Sequence, residues 1–192
     1  MRKKTTPAAG IFVALLRGVN VGGKNMISMR SLKESFEQMG FSDVSTYINS
    51  GNILFKSKDD DARKLERKIE RVLSKEYQLE SKVVVRSYSE MARLVESLPV
   101  EWDGDDCWKH NVMFLRHTID SEDVLKGLKP RDGVERVLYH PGTLLWSARV
   151  ETITRATMLK LPGQAIYQEM TVRNLNTTRK LYELMKRMDA QV

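Results

Sequence analysis

The run LLRGVNVGGKN at residues 15–25 has the residue types of an anion-binding loop. An apolar stretch that reads as a strand ends in Arg17, and a segment rich in glycine and asparagine follows. Glycine lets a backbone approach a ligand closely, and successive backbone N–H groups in such a loop can point toward one anion. The candidate residues of this loop are Arg17, Gly18, Asn20, Gly22, Gly23 and Lys24. A structural loop that needs glycine only for left-handed backbone angles is the alternative.

The same residues also match part of the Walker A nucleotide-binding pattern, G-x-x-x-x-G-K. Asn25 stands where that pattern needs a Ser or Thr hydroxyl for magnesium, and the next helix has its own cap further on, at Ser28. No apolar strand ends in an aspartate suited to the Walker B role. The sequence therefore disfavours an NTPase and leaves an anion-binding loop without hydrolysis, or a structural loop.

The turn INSGN at residues 48–52 is predicted to lie beside that loop. In a split β-α-β unit the first two strands run parallel with the third between them, so strands 11–17 and 44–48 end at the same sheet edge. Asn49, Ser50 and Asn52 would then face residues 17–25. We call this predicted meeting of residues 17–25 and 48–52 the rim. We expect its hydrogen-bond donors to be free for a ligand.

A further candidate segment, TVRNLNTTRKL at residues 171–181, ends a strand and begins the last helix. Asn176 is placed to cap that helix, which would leave backbone N–H groups of its first turn free near Thr177. Arg173 and Asn174 complete this second anion site. The alternative is that the two asparagines make only turn and cap hydrogen bonds.

The order of predicted elements is the same in the two halves of the chain. Strands at 11–17, 44–48, 52–56 and 82–87 alternate with helices that begin at Ser28, at 59–61 and at Ser89. The order β-α-β-β-α-β-α then returns, with strands at 110–116, 134–139, 143–149 and 168–173 and helices at 121–128, 152–161 and 177–188. Short strings also match between the halves, LLR with FLR and VVVRS with MTVRN.

This repeated order predicts an α+β protein made of two ferredoxin-like units, each an antiparallel sheet with helices on one face. The predicted division is a flexible basic tail (1–10), a first half (11–98), a linker (99–109) and a second half (110–192). Trp102 and Trp108 flank the linker, and we expect their indoles to seal the halves together.

Composition limits the classes of protein and of site. The chain has 192 residues, a net charge of +7 and one cysteine, so an internal disulfide is excluded and a reducing compartment is favoured. No apolar run approaches the length of a membrane helix, and we predict a cytoplasmic protein. His110, His117 and His140 lack zinc-site spacing, so we predict neither a metal nor a cofactor. The positive charge permits phosphorylated ligands or nucleic acid, although much of it interleaves with glutamates on a solvated helix face.

Residues 15–55 resemble the opening of a bacterial family catalogued as a domain of unknown function, DUF1697. Residues 171–181 resemble that family's closing segment, usually T-x-R-N-W-N-T. The resemblance implies a duplicated ferredoxin-like fold and implies no reaction. This chain has Leu175 where the family usually has Trp, which leaves open whether that position packs on the core or faces a ligand. The matching residues are Arg17, Gly18, Asn20, Gly22, Gly23, Lys24, Asn25, Thr46, Tyr47, Asn49, Ser50, Gly51, Asn52, Arg173, Asn174, Asn176 and Thr177.

Three functions stay open at this point. The first is binding of a phosphorylated small molecule or a nucleic-acid backbone at the rim, led by Arg17, Lys24, Asn20 and Arg173. The second is a metal-independent enzyme, for which the rim offers no evident titrating base. The third is a structural or assembly role, which buried and fully hydrogen-bonded rim side chains would favour.

Overall fold

The computed structural model describes residues 9–20 and 26–190, in which the strands form two four-stranded antiparallel sheets. The first half contains β1 (Gly10–Leu16), α1 (Met29–Gln38), β2 (Ser42–Thr46), β3 (Asn52–Ser57), α2 (Ala62–Tyr77), β4 (Val83–Ser87) and α3 (Tyr88–Glu96). The second half contains β5 (Trp108–Leu115), β6 (Glu135–His140), β7 (Thr143–Arg149), β8 (Met170–Asn174) and α4 (Leu175–Asp189).

The two sheets have the same topology. Their strand orders are β2-β3-β1-β4 and β6-β7-β5-β8, and every neighbouring pair is antiparallel. β1 and β2 therefore run parallel with β3 between them, as the sequence predicts for a split β-α-β unit. The predicted duplicated ferredoxin-like fold is confirmed. β5 begins at Trp108, inside the range predicted as linker.

The first sheet is covered on its outer face by α1 and α2. Ser28 caps α1 by accepting a hydrogen bond from Ser31 N, and the buried Leu32 and Phe36 face the sheet. Asp61 caps α2 in the same way through the N–H groups of Arg63 and Lys64. These helices bury one apolar stripe each, which is why the 3.6-residue periodicity located them in the sequence.

α2 also closes the open edge of the first sheet. The Glu66 carboxylate accepts a hydrogen bond of 3.0 Å from Val85 N, and Glu70 accepts one of 3.0 Å from Val83 N. Both amides belong to β4, whose outer edge no other strand covers. Two glutamates four residues apart on one helix thus satisfy backbone donors that would otherwise need water.

The remaining two helices, α3 and α4, lie between the sheets. Their apolar residues share one core with the inner faces of both sheets: Ile11, Val13, Leu15, Leu54, Val84, Met91, Leu94, Leu98, Trp102, Val112, Phe114, Leu145, Leu175, Leu181 and Met185. The sequence predicts helices on one face of each sheet. In the first sheet α1 and α2 lie on one face, whereas α3 and α4 pack on the other face. Trp102 seals the halves as expected, and Leu175 packs in this shared core.

The second half lacks the two α-helices predicted at 121–128 and 152–161. These segments form short 3₁₀ turns: Glu122–Gly127, Val150–Arg155, Thr157–Gly163 and Ala165–Glu169. Pro162, Gly163 and the β-branched run ETIT disfavour a continuous helix there. The buried Glu135 carboxylate holds the turn by accepting a 2.6 Å hydrogen bond from Thr157 N.

The caps of the two inner helices each lie two residues earlier than predicted. α3 begins after Ser87, which forms a capping box with Glu90, and Ser89 is not the cap. α4 begins after Asn174, whose side chain accepts a 2.7 Å hydrogen bond from Thr177 N. The prediction that Asn176 caps α4 is therefore wrong, because the strand continues directly into the helix at Asn174.

Candidate functional site

The loop after β1 and the turn before β3 meet, as the topology predicts. Leu16 N donates to Gly51 O at 2.8 Å, and Asn20 Nδ2 donates to Asn49 O at 3.1 Å. Gly51 has φ +69°, and a Cβ at this position would lie 2.8 Å from Leu16 Cβ. Within the described residues, 17–20 therefore meet the turn at 48–52, and the close packing of this part of the rim requires glycine at position 51.

Two asparagines of the rim, Asn20 and Asn52, do not offer free donors. Asn20 accepts a hydrogen bond from Ile27 N at 2.7 Å and donates to Ile27 O at 2.9 Å. Asn52 is fully buried and donates to Tyr47 O at 3.1 Å and Ser50 Oγ at 3.0 Å. Both side chains therefore hold the loop and turn in shape, and the expectation of free donors is wrong for these residues.

Arg173 is likewise fully occupied within the protein. Its Nε donates to Asn52 Oδ1 at 2.5 Å, its Nη1 to Thr171 Oγ1 and Val172 O, and its Nη2 to the carbonyls of Leu16, Ser50 and Gly51. Burial lowers the pKa of Arg173 to about 10. Because all five N–H donors have acceptors, this guanidinium ties β8 to the rim and has none left for a ligand anion.

The other predicted site residues do not lie together in one site. Arg17 donates to Gln168 Oε1 at 2.7 Å and lies over the Tyr167 ring at 5.0 Å. Gly18 and Asn49 are exposed, whereas Ser50 is half-buried and accepts from Asn52. Asn176 is exposed and lines a different cavity, at the start of α4. Three predicted residues lie outside the described part of the chain: Gly22, Gly23 and Lys24.

A second arginine, Arg86 on β4, makes the reciprocal contact. Its Nη2 donates to Leu115 O and, at 2.9 Å, to Gly142 O. Arg86 opposes Val13 on β1 and Arg173 opposes Val112 on β5, so the arginines occupy equivalent positions of the two sheets. We call these contacts the Arg86 seam and the Arg173 seam. Each joins the last strand of one half to the end of the first strand and the turn of the other half.

The Arg86 seam borders a cavity of about 330 Å³ between the halves. We call it the Arg86 pocket; its wall is built from α2, α3, β4, the segment after β5 and the turn between β6 and β7. The polar side chains of its wall are Arg63, Glu66, Arg86, Glu90, Arg93, His117, Asp120, His140 and Thr143. Its volume is near the lower end of the range for small-molecule sites.

Glu66 is the most unusual residue of this wall. The side chain is 4% exposed; Oε1 bonds Val85 N, while the buried Oε2 has no hydrogen-bond partner among the described residues. His117 Nδ1 lies 3.8 Å from Oε2, which is too long for a hydrogen bond. Burial raises the pKa of Glu66, and the Val85 N–H and the charges of Arg116 and Arg86 oppose that rise.

The other charged groups of the pocket divide into occupied and unoccupied ones. Glu90 bonds Ser87 N at 2.7 Å, and Asp120 bonds Gly142 N at 2.7 Å. By contrast, the exposed guanidiniums of Arg63 and Arg93 have no hydrogen bond or ion pair within the described residues. His140 Nδ1 is buried and likewise has no partner among those residues. The groups free to meet a ligand are therefore two guanidiniums, the His140 Nδ1 atom and the Glu66 Oε2 atom.

Sequence reasoning did not find this pocket. Residues 63–71 of α2 alternate basic and acidic side chains, which indicates a solvated face, and most of them are indeed exposed. Glu66 and Glu70 lie four residues apart and next to the apolar positions Leu65 and Ile69. That spacing could have placed both carboxylates at the border of the buried stripe. The groups opposite them come from the other half of the chain, which periodicity does not reveal.

Two classes of site are not found in the described part of the chain. No group of three or more His, Cys, Asp or Glu side chains within residues 9–20 and 26–190 is arranged to hold a metal ion. In the same residues, no helix is both long and apolar enough to cross a bilayer.

The fold and its reciprocal seams define a duplicated ferredoxin-like α+β protein whose two halves share one core. A model of the family described as "Protein of unknown function (DUF1697)" matches residues 10–146, and the chain belongs to this family. It is similar to the solved conserved bacterial protein SP0830 from Streptococcus pneumoniae, at 27% identity and a TM-score of 0.81 over 93% of this chain and 99% of that one. No curated protein matches. These relatives assign no reaction.

Proposed function

We propose that this protein binds a small anionic molecule in the Arg86 pocket and that the ligand also carries a hydrogen-bond donor. The observation that carries the proposal is the buried, unpartnered Oε2 of Glu66 in the wall of a cavity. Buried polar atoms in proteins almost always have a partner, and an exception points to a missing one. A ligand hydroxyl or amine would supply it.

The charge of the pocket supports an anionic group on the same ligand. Arg63 and Arg93 have no internal partners, and His117 and His140 also border the cavity. Glu90 and Asp120 already accept internal hydrogen bonds, so their charges are partly neutralised by N–H and O–H donors. Guanidinium groups bind phosphate and carboxylate by paired hydrogen bonds. A phosphate monoester with a free hydroxyl has the required combination.

This proposal keeps the phosphorylated small molecule expected from the sequence and moves it from the rim to the Arg86 pocket. The contacts of Asn20, Asn52 and Arg173 support a structural role for the rim, the third function considered above. We further propose a cytoplasmic location, where the exposed Cys107 would stay a thiol. Nucleic acid is not proposed, because the unoccupied cations border a small cavity.

Calorimetric titration with glycerol phosphate tests the proposal. We expect saturable binding and a raised melting temperature, with binding weakened about tenfold in Arg63→Ala because one charged contact is lost. Arg67→Ala is the matched control, since Arg67 is exposed on the same helix and does not border the cavity. The proposal fails if neither phosphate esters nor small carboxylates bind, or if Arg67→Ala weakens binding as much as Arg63→Ala does.

The distance between Glu66 and His117 favours a second candidate, a metal-independent enzyme that moves a proton. Glu66 Oε2 could accept a proton from a bound ligand, and His117 Nδ1, 3.8 Å away and more exposed, could exchange it with water. The rim lacked such a base. If this chemistry occurs, a ligand C–H next to a carbonyl will exchange with deuterated solvent in the presence of wild type and not of Glu66→Gln. If no exchange occurs, the enzyme candidate is rejected and ligand binding is the function that the pocket supports.

A further inference from the structure

A larger cavity, of about 730 Å³, lies at the other end of β5. Trp108, Lys109 and His110 of β5 border it, together with Trp102 and the start of α4. The Arg86 pocket borders the segment that follows β5, so the last four residues of β5, Val112 to Leu115, separate the residues that line the two cavities. We call this second cavity the tryptophan cavity. Nothing in the proposed function involves it.

The aromatic rings of the tryptophan cavity are held in place by their neighbours. The Trp102 ring is stacked on the His110 ring, with centroids 4.3 Å apart and planes inclined by 16°. The Trp108 ring carries the guanidiniums of Arg136 and Arg149 at 5.1 and 5.2 Å. These contacts hold the two indoles in place, so a ligand that touches them would not have to order flexible side chains, which favours binding.

The same cavity presents hydrogen-bonding groups without internal partners. The indole N–H groups of Trp102 and Trp108 and the Asn176 amide have no hydrogen bond within the described residues. His110 Nδ1 pairs with Ser147 Oγ at 2.9 Å, while the buried His110 Nε2 has no partner among those residues. An amide offers a donor and an acceptor side by side, the pattern that pairs with the edge of adenine.

The charges around the tryptophan cavity nearly cancel. Lys109 and Arg179 border it, but so do Asp105 and Asp106, and Arg179 is paired with Asp103 at 2.5 Å. A phosphate would meet carboxylates here, whereas an uncharged ring would not be repelled. The Arg86 pocket differs in that two of its guanidiniums, those of Arg63 and Arg93, have no partner within the described residues.

We propose that the tryptophan cavity binds an uncharged planar nitrogen heterocycle of purine size, which contacts Trp108 and pairs its polar edge with Asn176 and His110. The volume lies within the range of small-molecule sites, and contact of a base with an aromatic ring contributes to affinity without requiring a charged ligand. The site is independent of the anionic ligand proposed for the Arg86 pocket.

Titration with adenosine, followed by the three indole N–H signals in ¹H–¹⁵N NMR spectra, tests this proposal. Trp146 is the internal control, because its indole is buried and donates to Glu135 Oε2 at 3.0 Å. We expect saturable shifts of the Trp102 and Trp108 signals and none of the Trp146 signal. Trp108→Leu should weaken binding about tenfold or more, and the exposed Asn176→Ala should weaken it several-fold in a fully folded protein.

The proposal is overturned if no indole signal shifts, if all three shift alike, or if both variants bind adenosine as wild type does. Glu66→Gln should leave adenosine binding unchanged. Loss of adenosine binding in that variant would contradict the independence of the two cavities. If adenosine binds and glycerol phosphate does not, only the proposal for the Arg86 pocket is refuted.

Discussion

The two seams use the same contact and differ in what surrounds it. Arg173 and Arg86 occupy equivalent strand positions, and each donates to carbonyls of the opposite half. Around Arg173 the partners are neutral: Asn52, Thr171 and backbone carbonyls. Around Arg86 lie the carboxylates of Glu66, Glu90 and Asp120, which oppose the lowering of the Arg86 pKa caused by burial. The same arginine contact is therefore fully hydrogen-bonded to neutral groups in the Arg173 seam, whereas in the Arg86 seam it borders a charged cavity.

The difference between the seams separates the residues that stabilise the fold from the residues that are available to bind a ligand. In the Arg173 seam every donor has an acceptor, so a change there removes contacts on which both halves depend. In the Arg86 seam, Glu66 and the pocket arginines retain unused hydrogen-bonding capacity. The two seams should therefore respond differently to substitution: one through unfolding free energy, the other through ligand affinity and pH.

The largest effect is expected for Arg173→Met, which keeps much of the apolar stem and removes the guanidinium. The Leu16 carbonyl and the Asn52 amide oxygen would stay buried without the donor that Arg173 supplies, so we expect a loss of about 3 kcal/mol or more of unfolding free energy. Urea denaturation measures it, with the exposed Arg187→Met as control. A loss equal to that of the control would show that the Arg173 seam does not hold the halves together.

Alanine at the two turn glycines gives a smaller, paired effect. Gly51 and Gly142 both have positive φ, +69° and +83°, so both variants should lose about 1–2 kcal/mol to backbone strain. Gly51→Ala also places its Cβ 2.8 Å from Leu16 Cβ, whereas Gly142→Ala meets the Arg86 guanidinium at 3.2 Å. We therefore expect the lower melting temperature for Gly51→Ala. Equal melting temperatures would argue against the tighter packing of the rim.

The smallest change in stability is expected at Glu66, and it should depend on pH. Because the folded protein raises the pKa of Glu66 above its ordinary value of 4.5, the folded state holds this proton more tightly than the unfolded chain. Ionisation of Glu66 therefore lowers stability as pH rises above that value. Glu66→Gln removes this dependence and keeps an acceptor for Val85 N.

Denaturation of wild type and Glu66→Gln at acidic and neutral pH measures this prediction. The stability of the variant relative to wild type should rise from acidic to neutral pH. The exposed Glu37→Gln variant should show no such trend. A relative stability of Glu66→Gln that falls with rising pH would mean that the carboxylate is stabilised as an anion in the folded protein.

Local patterns and topology predicted much of this fold. The strand positions, the Ser28 and Asp61 caps and the meeting of residues 16–20 with 49–51 follow from periodicity and the split β-α-β order. The two α-helices predicted at 121–128 and 152–161 were wrong; at the end of the second segment Pro162 and Gly163 disfavour a continuous helix, and the buried Glu135 carboxylate accepts a hydrogen bond from Thr157 N instead. The hydrogen bonds of the rim could not be read from the sequence, since Arg173 donates to Asn52 Oδ1 across 121 residues of chain.

Backbone amide shifts during titration with glycerol phosphate test the central claim most directly, because both seams are observed in one experiment. We predict that the perturbed amides cluster at 63–66, 86–93, 117–120 and 140–143, around the Arg86 pocket. Those of 16–20, 49–52 and 171–174, around the Arg173 seam, should stay in place. Perturbations concentrated at the second set would contradict the account, since they would show that the rim binds the anion and the Arg86 pocket does not.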